Sequence, residues 1–367
     1  MTTTIRRASA ALTALFLLTA GWLAAPHANQ NDANDGFILF TTDRDNPSER
    51  GMCGNCEEIY VMSADGSHPV RLTRGGADVV VGGPPYNSGG ADWSHNRKLI
   101  AFQSNRVGGI PQIYLMNPDG SDQHLLVNFP VDGGGFPSFS QTGDQVCFQD
   151  QDFSKPNAAK RRDIFVVNAD GTGVTNLTSP LLPRQVGDNF RCDWSPKADA
   201  IAFQSTRDGN DEIYSMNADG SGLVRLTHDP VPAPGGAVCR IADGNPAWSP
   251  KGDRIAFESN RSTEAGKCTA LPEIWVMNAD GSDPMRLTDF SNVETPMLVA
   301  VTKPTWSPKG DRIAFHRRVG AAGTAGHFQI YTIDVESREV TQITPPPGPV
   351  TAQFSGFPSW GKWSTQD

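Results

Sequence analysis

The stretch from Pro246 to Thr288 recurs along this chain, and a recurring unit of that size restricts the fold to a solenoid or a propeller. Within it, Pro-Ala-Trp-Ser (246–249) leads through Pro250-Lys-Gly-Asp253 into Arg254–Arg261. After a loop, Glu273–Asn278 leads through Ala279-Asp-Gly-Ser282 into Pro284–Thr288. Each run alternates apolar and polar residues as a two-faced strand requires, and Asp-Gly supplies the positive φ of a tight hairpin. The unit therefore reads as a four-stranded antiparallel meander.

Two landmarks count the copies. An aromatic residue closes the first strand at Trp93, Phe139, Trp194, Trp248, Trp306 and Trp360, and the third strand carries Ile59-Tyr60, Ile113-Tyr114, Ile164-Phe165, Ile213-Tyr214, Ile274-Trp275 and Ile330-Tyr331. Their spacing of roughly 46 to 61 residues places the insertions in loops. The first copy begins at a second strand (Gly36–Arg44), and the last segment, Gly356–Trp360, is a first strand with nothing after it. Pairing these two fragments closes a ring and removes the open sheet edge. The expected fold is all-β, a six-bladed β-propeller over residues 36–361, with a 362–367 tail.

Residues 1–28 stand apart. Arg6-Arg7, an apolar run from Ala8 to Ala25 and the small residues after it are the ingredients of a cleaved secretory signal, with 29–35 as a short linker. Without that segment the chain has 29 basic and 40 acidic side chains, a balance unsuited to nucleic acid or an anionic membrane surface as partner. Export turns the cysteines toward disulfides. Six cysteines allow 15 pairings; Cys53 with Cys56, Cys147 with Cys192 and Cys239 with Cys268 is the arrangement that loop positions favour.

The repeat text resembles that of TolB-type propellers, through Trp-Ser-Pro-Lys-Gly-Asp-Arg-Ile-Ala-Phe (248–257, 306–315) and Met-Asn-Ala-Asp-Gly-Ser with Arg-Leu-Thr (216–227, 277–288). This resemblance implies the propeller and an envelope setting. TolB itself carries an α/β domain ahead of its propeller, which the 29–35 segment leaves no room for. Related repeats also occur in prolyl-oligopeptidase-like enzymes.

Loops between the second and third strands, and between blades, are long and irregular, whereas the other turns are short. Binding is therefore expected on the long-loop face. Candidate ligand-binding residues at the channel mouth are Asp92, Asp188, Asn189, Arg191, Asp193, Asp243, Asn245 and Lys303, all just before or within first strands. The repeated tryptophans read as packing between blades. Arg44, Arg106, Arg207 and Arg261, which end four second strands, read as contacts to backbone carbonyls between blades.

No catalytic set assembles from sequence. The seven histidines are dispersed, no Gly-x-Ser-x-Gly elbow is present, and the Asn168–Thr172 turn lacks the bidentate Glu of a calcium loop. No metal and no cofactor are expected. The function expected is an exported, periplasmic or secreted, non-catalytic monomer that binds a protein or peptide such as an envelope lipoprotein and is not embedded in the membrane. The alternatives are a lyase- or lactonase-like propeller enzyme with a site at the channel mouth, or an accessory propeller of a prolyl-oligopeptidase-like system.

Overall fold

The computed structural model describes residues 35–44, 57–74, 86–128, 134–151, 161–178, 187–197, 199–229, 240–263, 268–290, 301–319, 327–344 and 355–361. The signal, linker and tail segments, apart from Asp35, and Cys53, Cys56 and Cys239 lie outside these residues. Strands β1 to β24 form six four-stranded antiparallel sheets arranged as a six-bladed propeller. Blade 1 is split: β24 (Ser355–Gly361) pairs with β1 (Phe37–Thr42), matching Ile38 to Trp360 and Thr42 to Ser355, and β2 (Glu58–Ser63) and β3 (Val70–Arg71) follow. Blades 2 to 6 are consecutive meanders. The expected class, blade number and closure are those observed.

Three features repeated within blades explain the sequence motif. The second strand of each blade buries a phenylalanine completely (Phe40, Phe102, Phe148, Phe203, Phe257, Phe315). In five blades its ring lies 5.6 to 6.0 Å from the aromatic of the third strand, as Phe102 does with Tyr114. In five blades the closing threonine (Thr73, Thr178, Thr227, Thr288, Thr344) accepts the N–H of the third-strand isoleucine and donates to the residue before it, Glu58, Asp163, Glu212, Glu273 or Gln329. This satisfies a buried backbone donor and a buried polar side chain together.

The recurrent arginines do something other than bind carbonyls between blades. Arg44, Arg106, Arg207 and Arg261 lie over the aromatic pair of their own blade, at 4.6 to 5.5 Å from the ring centroids. Arg106, Arg207 and Arg261 also bond the serine two residues earlier and the opening side chain of the first strand, Ser88, Asn189 or Asp243. A planar, weakly hydrated guanidinium suits that combination of stacking and forked donation.

Between blades, six hydrophobic clusters fill the six seams. Trp93, Trp194, Trp306 and Trp360 belong to four of them and are 3% to 7% exposed, so the tryptophans are core, as expected. The Asp-Gly turns have a second duty that periodicity does not reveal. A Cβ on Gly66, Gly120, Gly171, Gly220 or Gly281 would lie 1.9 to 2.9 Å from a carbonyl oxygen of the preceding blade, that of Ile343, Leu72, Leu126, Leu177 or Leu226. Glycine is required there by the seam as well as by φ.

Cys147 on β9 (Gln145–Gln151) and Cys192 on β12 (Asn189–Trp194) form a disulfide across the seam between blades 3 and 4, with Cα atoms 6.4 Å apart. Cys268 is also disulfide-bonded.

Candidate functional site

The first strands β4 (Ser88–Trp93), β8 (Gly135–Phe139), β12, β16 (Asp243–Trp248), β20 (Val301–Trp306) and β24 line the channel, and each slips register against its second strand at the same place. The slipped residues, Gly90, Phe136, Arg191, Asn245, Lys303 and Phe357, have φ between 48° and 58°. A bulge of this kind re-aims side chains, and left-handed backbone at a non-glycine residue persists only where its surroundings over-determine it. Here the preceding blade does so. The slipped N–H donates to Thr41, Gln103, Gln149, Gln204 or His316, at 2.9 to 3.4 Å, and that of Lys303 donates to Glu258.

Two residues further on, a second inward ring consists of Asp92, Ser138, Asp193, Ala247, Thr305 and Ser359. Four of its members accept the N–H of the aromatic residue in the next blade: Asp92 from Phe139 (3.2 Å), Ser138 from Trp194 (3.2 Å), Asp193 from Trp248 (2.7 Å) and Thr305 from Trp360 (3.2 Å). A hydroxyl performs this duty in two seams. Asp92 and Asp193 therefore bring carboxyl groups beyond what the scaffold needs, and Glu258 and His316 likewise bring titratable groups where other blades use glutamine or threonine.

These departures from the repeat converge. Arg191 lies 3.2 Å from the centroid of Phe136, the rings of Phe136 and Phe357 are 5.6 Å apart, and Lys303 Nζ is 5.7 Å from each of them. Burial raises Asp193 to about 7, with repulsion from Asp92 adding to it, and raises Asp92 as well. Burial also raises Glu258 to about 7 and pushes Lys303 down to about 8, the latter with help from Arg191. His316 falls to about 3, chiefly through burial, and is neutral.

Above the Asp92 and Asp193 ring the channel opens into a cavity of about 270 Å³, lined also by Ser94, His95, Arg97, Pro196, Pro250 and Pro308. Those residues belong to the short turns. Each first strand runs from the long-loop end to the short-turn end, so the second half of the strand, which carries the acids, faces the short turns. The acidic pair thus opens on the face opposite to the one expected for binding; most long-loop residues lie outside the described set.

Of the eight candidates, Asp92, Arg191, Asp193, Asn245 and Lys303 come together in the channel. The other three do not. Asp188 accepts the N–H of Arg162 at 2.8 Å at the long-loop end, and Asn189 bonds Arg162 O, Asp163, Thr178 and Arg207. Asp243 is fully buried against Arg261. Asn189 and Asp243 are first in their strands and Asp188 just precedes β12, so these residues sit where blade edges meet. Phe136, Phe357, Glu258 and His316 were missed, although the polar residue after Ala-Phe in Ala-Phe-Gln-Ser, Ala-Phe-Glu-Ser and Ala-Phe-His-Arg marks the second-strand ring.

Asp193 gives a stability prediction. Its folded carboxyl keeps a proton to about 7, far above the usual carboxylate range, because it is buried. The resulting stabilisation is complete below the unfolded value and is lost as pH rises through about 7. Asp193→Asn should flatten the decline of Tm between pH 4 and 8 and raise Tm at pH 8. Superimposable profiles would contradict this account of the channel.

With the geometry in place, known proteins define the fold class. The chain superposes on TolB from Acinetobacter baumannii with a TM-score of 0.63 and 19% identity, over 89% of this chain and 66% of that one. A putative TolB from Agrobacterium tumefaciens gives 0.56 and 18%, over 89% and 98%. Oligogalacturonate lyase from Vibrio parahaemolyticus gives 0.50 and 10%, over 85% and 75%. The fold is a TolB-like six-bladed propeller. The uncharacterized peptidase YuxL of Bacillus subtilis is 33% identical over 69 residues, 19% of this chain and 8% of that protein. This chain therefore aligns with a small part of that relative and just under two thirds of the Acinetobacter TolB. No family model matches the chain.

Proposed function

We propose that this protein is an exported, periplasmic or secreted, non-catalytic binding propeller whose short-turn funnel receives a cationic group of a protein or peptide partner. The observation that carries the reading is the pair Asp92 and Asp193, carboxylates at ring positions where Ser138 and Thr305 perform the same capping with a hydroxyl. An arriving ammonium or guanidinium would favour their ionised forms in a site of restricted solvent access. The net charge of −9 for the whole chain steers such a partner. The TolB-like fold and the disulfide support an envelope partner, with a lipoprotein the first to try.

The test uses Asp92→Ser/Asp193→Ser, which keeps hydroxyl caps of the kind the ring already contains. A partner captured from envelope extract by the wild-type protein should associate about tenfold more slowly with the variant, and the rate should lose its salt dependence. Equal rates with equal salt dependence would reject the funnel as the site.

A second reading, acid–base catalysis in the same channel, is supported by Asp193 and Glu258 at about 7 beside Lys303 at about 8. Turnover of an acidic oligosaccharide that Lys303→Ala abolishes would favour it.

A further inference from the structure

Toward the long-loop end of the channel, the ring of slipped residues carries charge of the opposite sign to the acidic pair. Its members are Gly90, Phe136, Arg191, Asn245, Lys303 and Phe357, the last five half-buried. Arg191 of blade 4 reaches Phe136 of blade 3 and Phe357 of blade 1, 3.2 and 5.8 Å from their centroids. Lys303 of blade 6 reaches the same two rings from the other side, at 5.7 Å. Two cations thus meet over two aromatic faces between opposite walls.

A ring face attracts a cation, yet it leaves the guanidinium and ammonium N–H donors without an oxygen acceptor. Among the described residues neither head group has a hydrogen bond or an ion pair, and Arg191 Nη1 is buried without a partner. The acids nearby are held by the scaffold. Asp92 accepts the Phe139 N–H and the Ser359 hydroxyl, and Asp193 accepts the Trp248 N–H and the Ser138 hydroxyl. Glu258 takes the Lys303 N–H and acts on Arg191 only from beyond ion-pair distance. Burial raises all three acids, which weakens them as counter-ions.

The donors have a space to serve. A cavity of about 60 Å³ lies between the two rings, lined by Arg191 and Lys303 together with Asp92, Ser138, Asp193 and Asn245. At about 10 to 15 Å³ for one water, it has room for a group of roughly four heavy atoms and is too small for a sugar ring.

We propose that Arg191 and Lys303 bind the carboxylate of a small organic acid in this cavity. The planar fork of a guanidinium matches the two oxygens of a carboxylate, and the ammonium adds a point charge beside it. The acids on the same wall favour a monoanion over a phosphate dianion. This site does not depend on whether the funnel takes a cation.

The experiment titrates isotope-labelled acetate into the full chain at pH 6 and constant ionic strength, and follows the NMR line width of the acetate. Saturable binding is expected, with a dissociation constant on the order of 1 mM for so small a ligand. Arg191→Asn and Lys303→Asn install the residue that blade 5 already carries at its slip, Asn245, so both should fold. Each should weaken acetate by about tenfold or more. A second measurement needs no variant. On the wild-type chain affinity should fall on the order of tenfold between about pH 6 and about pH 8.5. Over that range Asp193 and Glu258 ionise at about 7 and Lys303 loses its proton at about 8, while Arg191, at about 10, stays charged and His316, at about 3, stays neutral. Further out, Arg162 acts on Arg191, Asp211 on Glu258 and His95 on Asp92. No saturable acetate binding at pH 6, binding that either variant leaves unchanged, affinity independent of pH, or tighter binding of inorganic phosphate than of acetate would overturn the proposal.

Discussion

A chain truncated after Phe354 should lose its cooperative unfolding transition. The removed segment carries β24, the inner strand of blade 1, and it makes contacts on three sides. Along its length it pairs with β1 from Phe37 to Thr42. Toward blade 6, its Phe357 and Trp360 N–H groups donate to His316 at 3.1 Å and Thr305 at 3.2 Å. Toward blade 2, the Ser359 hydroxyl donates to Asp92 at 2.8 Å. Trp360 also fills the cluster between blades 1 and 6 and bonds the Asp35 carbonyl at 2.7 Å. Loss of these contacts exposes the edge of β1, leaves buried donors and acceptors unpaired, and opens two seams together. Unfolding should spread from the breach and the protein should aggregate through the free edge. Calorimetry of the truncated chain checks this; a sharp transition with native enthalpy would show that closure is dispensable.

The fold was legible because every repeat states its strands in the same order, with Asp-Gly in five repeats and Ser-Pro-Lys-Gly-Asp in two marking the short turns. Even the split blade could be read, since Phe37–Thr42 lacks a first strand and Gly356–Trp360 lacks a second. The channel was legible only in part. Asp92, Arg191, Asp193, Asn245 and Lys303 were found because polar residues interrupt first strands, but the direction in which they open depends on which half of the strand they occupy. The slip at the second or third residue of each first strand leaves no mark in hydrophobic periodicity, because it adds a residue without changing composition. The carboxamide ring of Gln103, Gln149 and Gln204 was hidden for a related reason: each residue looks like an ordinary polar position in an alternating strand. Asn189 and Asp243 show the reverse error. Their residue types suggest ligand contact, yet an arginine of the same blade claims both.

Replacing Cys147 and Cys192 together by alanine should destabilise the protein by about 4 kcal/mol, the loop-entropy value for a 45-residue separation. The bond joins neighbouring blades, so without it the seam between blades 3 and 4 rests on its hydrophobic cluster and on capping contacts such as Trp194 N–H to Ser138. Both sulfurs belong to that cluster, with Cys147 fully buried and Cys192 6% exposed. Burial therefore restricts the access of reductant to the bond in the closed ring. Under native conditions thiols should appear only as fast as the seam opens, whereas in denaturant reduction should be immediate. The denaturant midpoint of the double alanine variant and the rate of thiol release from wild-type protein check the two halves of this expectation. An unchanged midpoint would place no weight on the disulfide, and rapid native reduction would mean that the seam opens freely. Where both results hold, protein made in a reducing compartment should carry this deficit until it is oxidised, which ties the stability of the ring to an oxidising compartment.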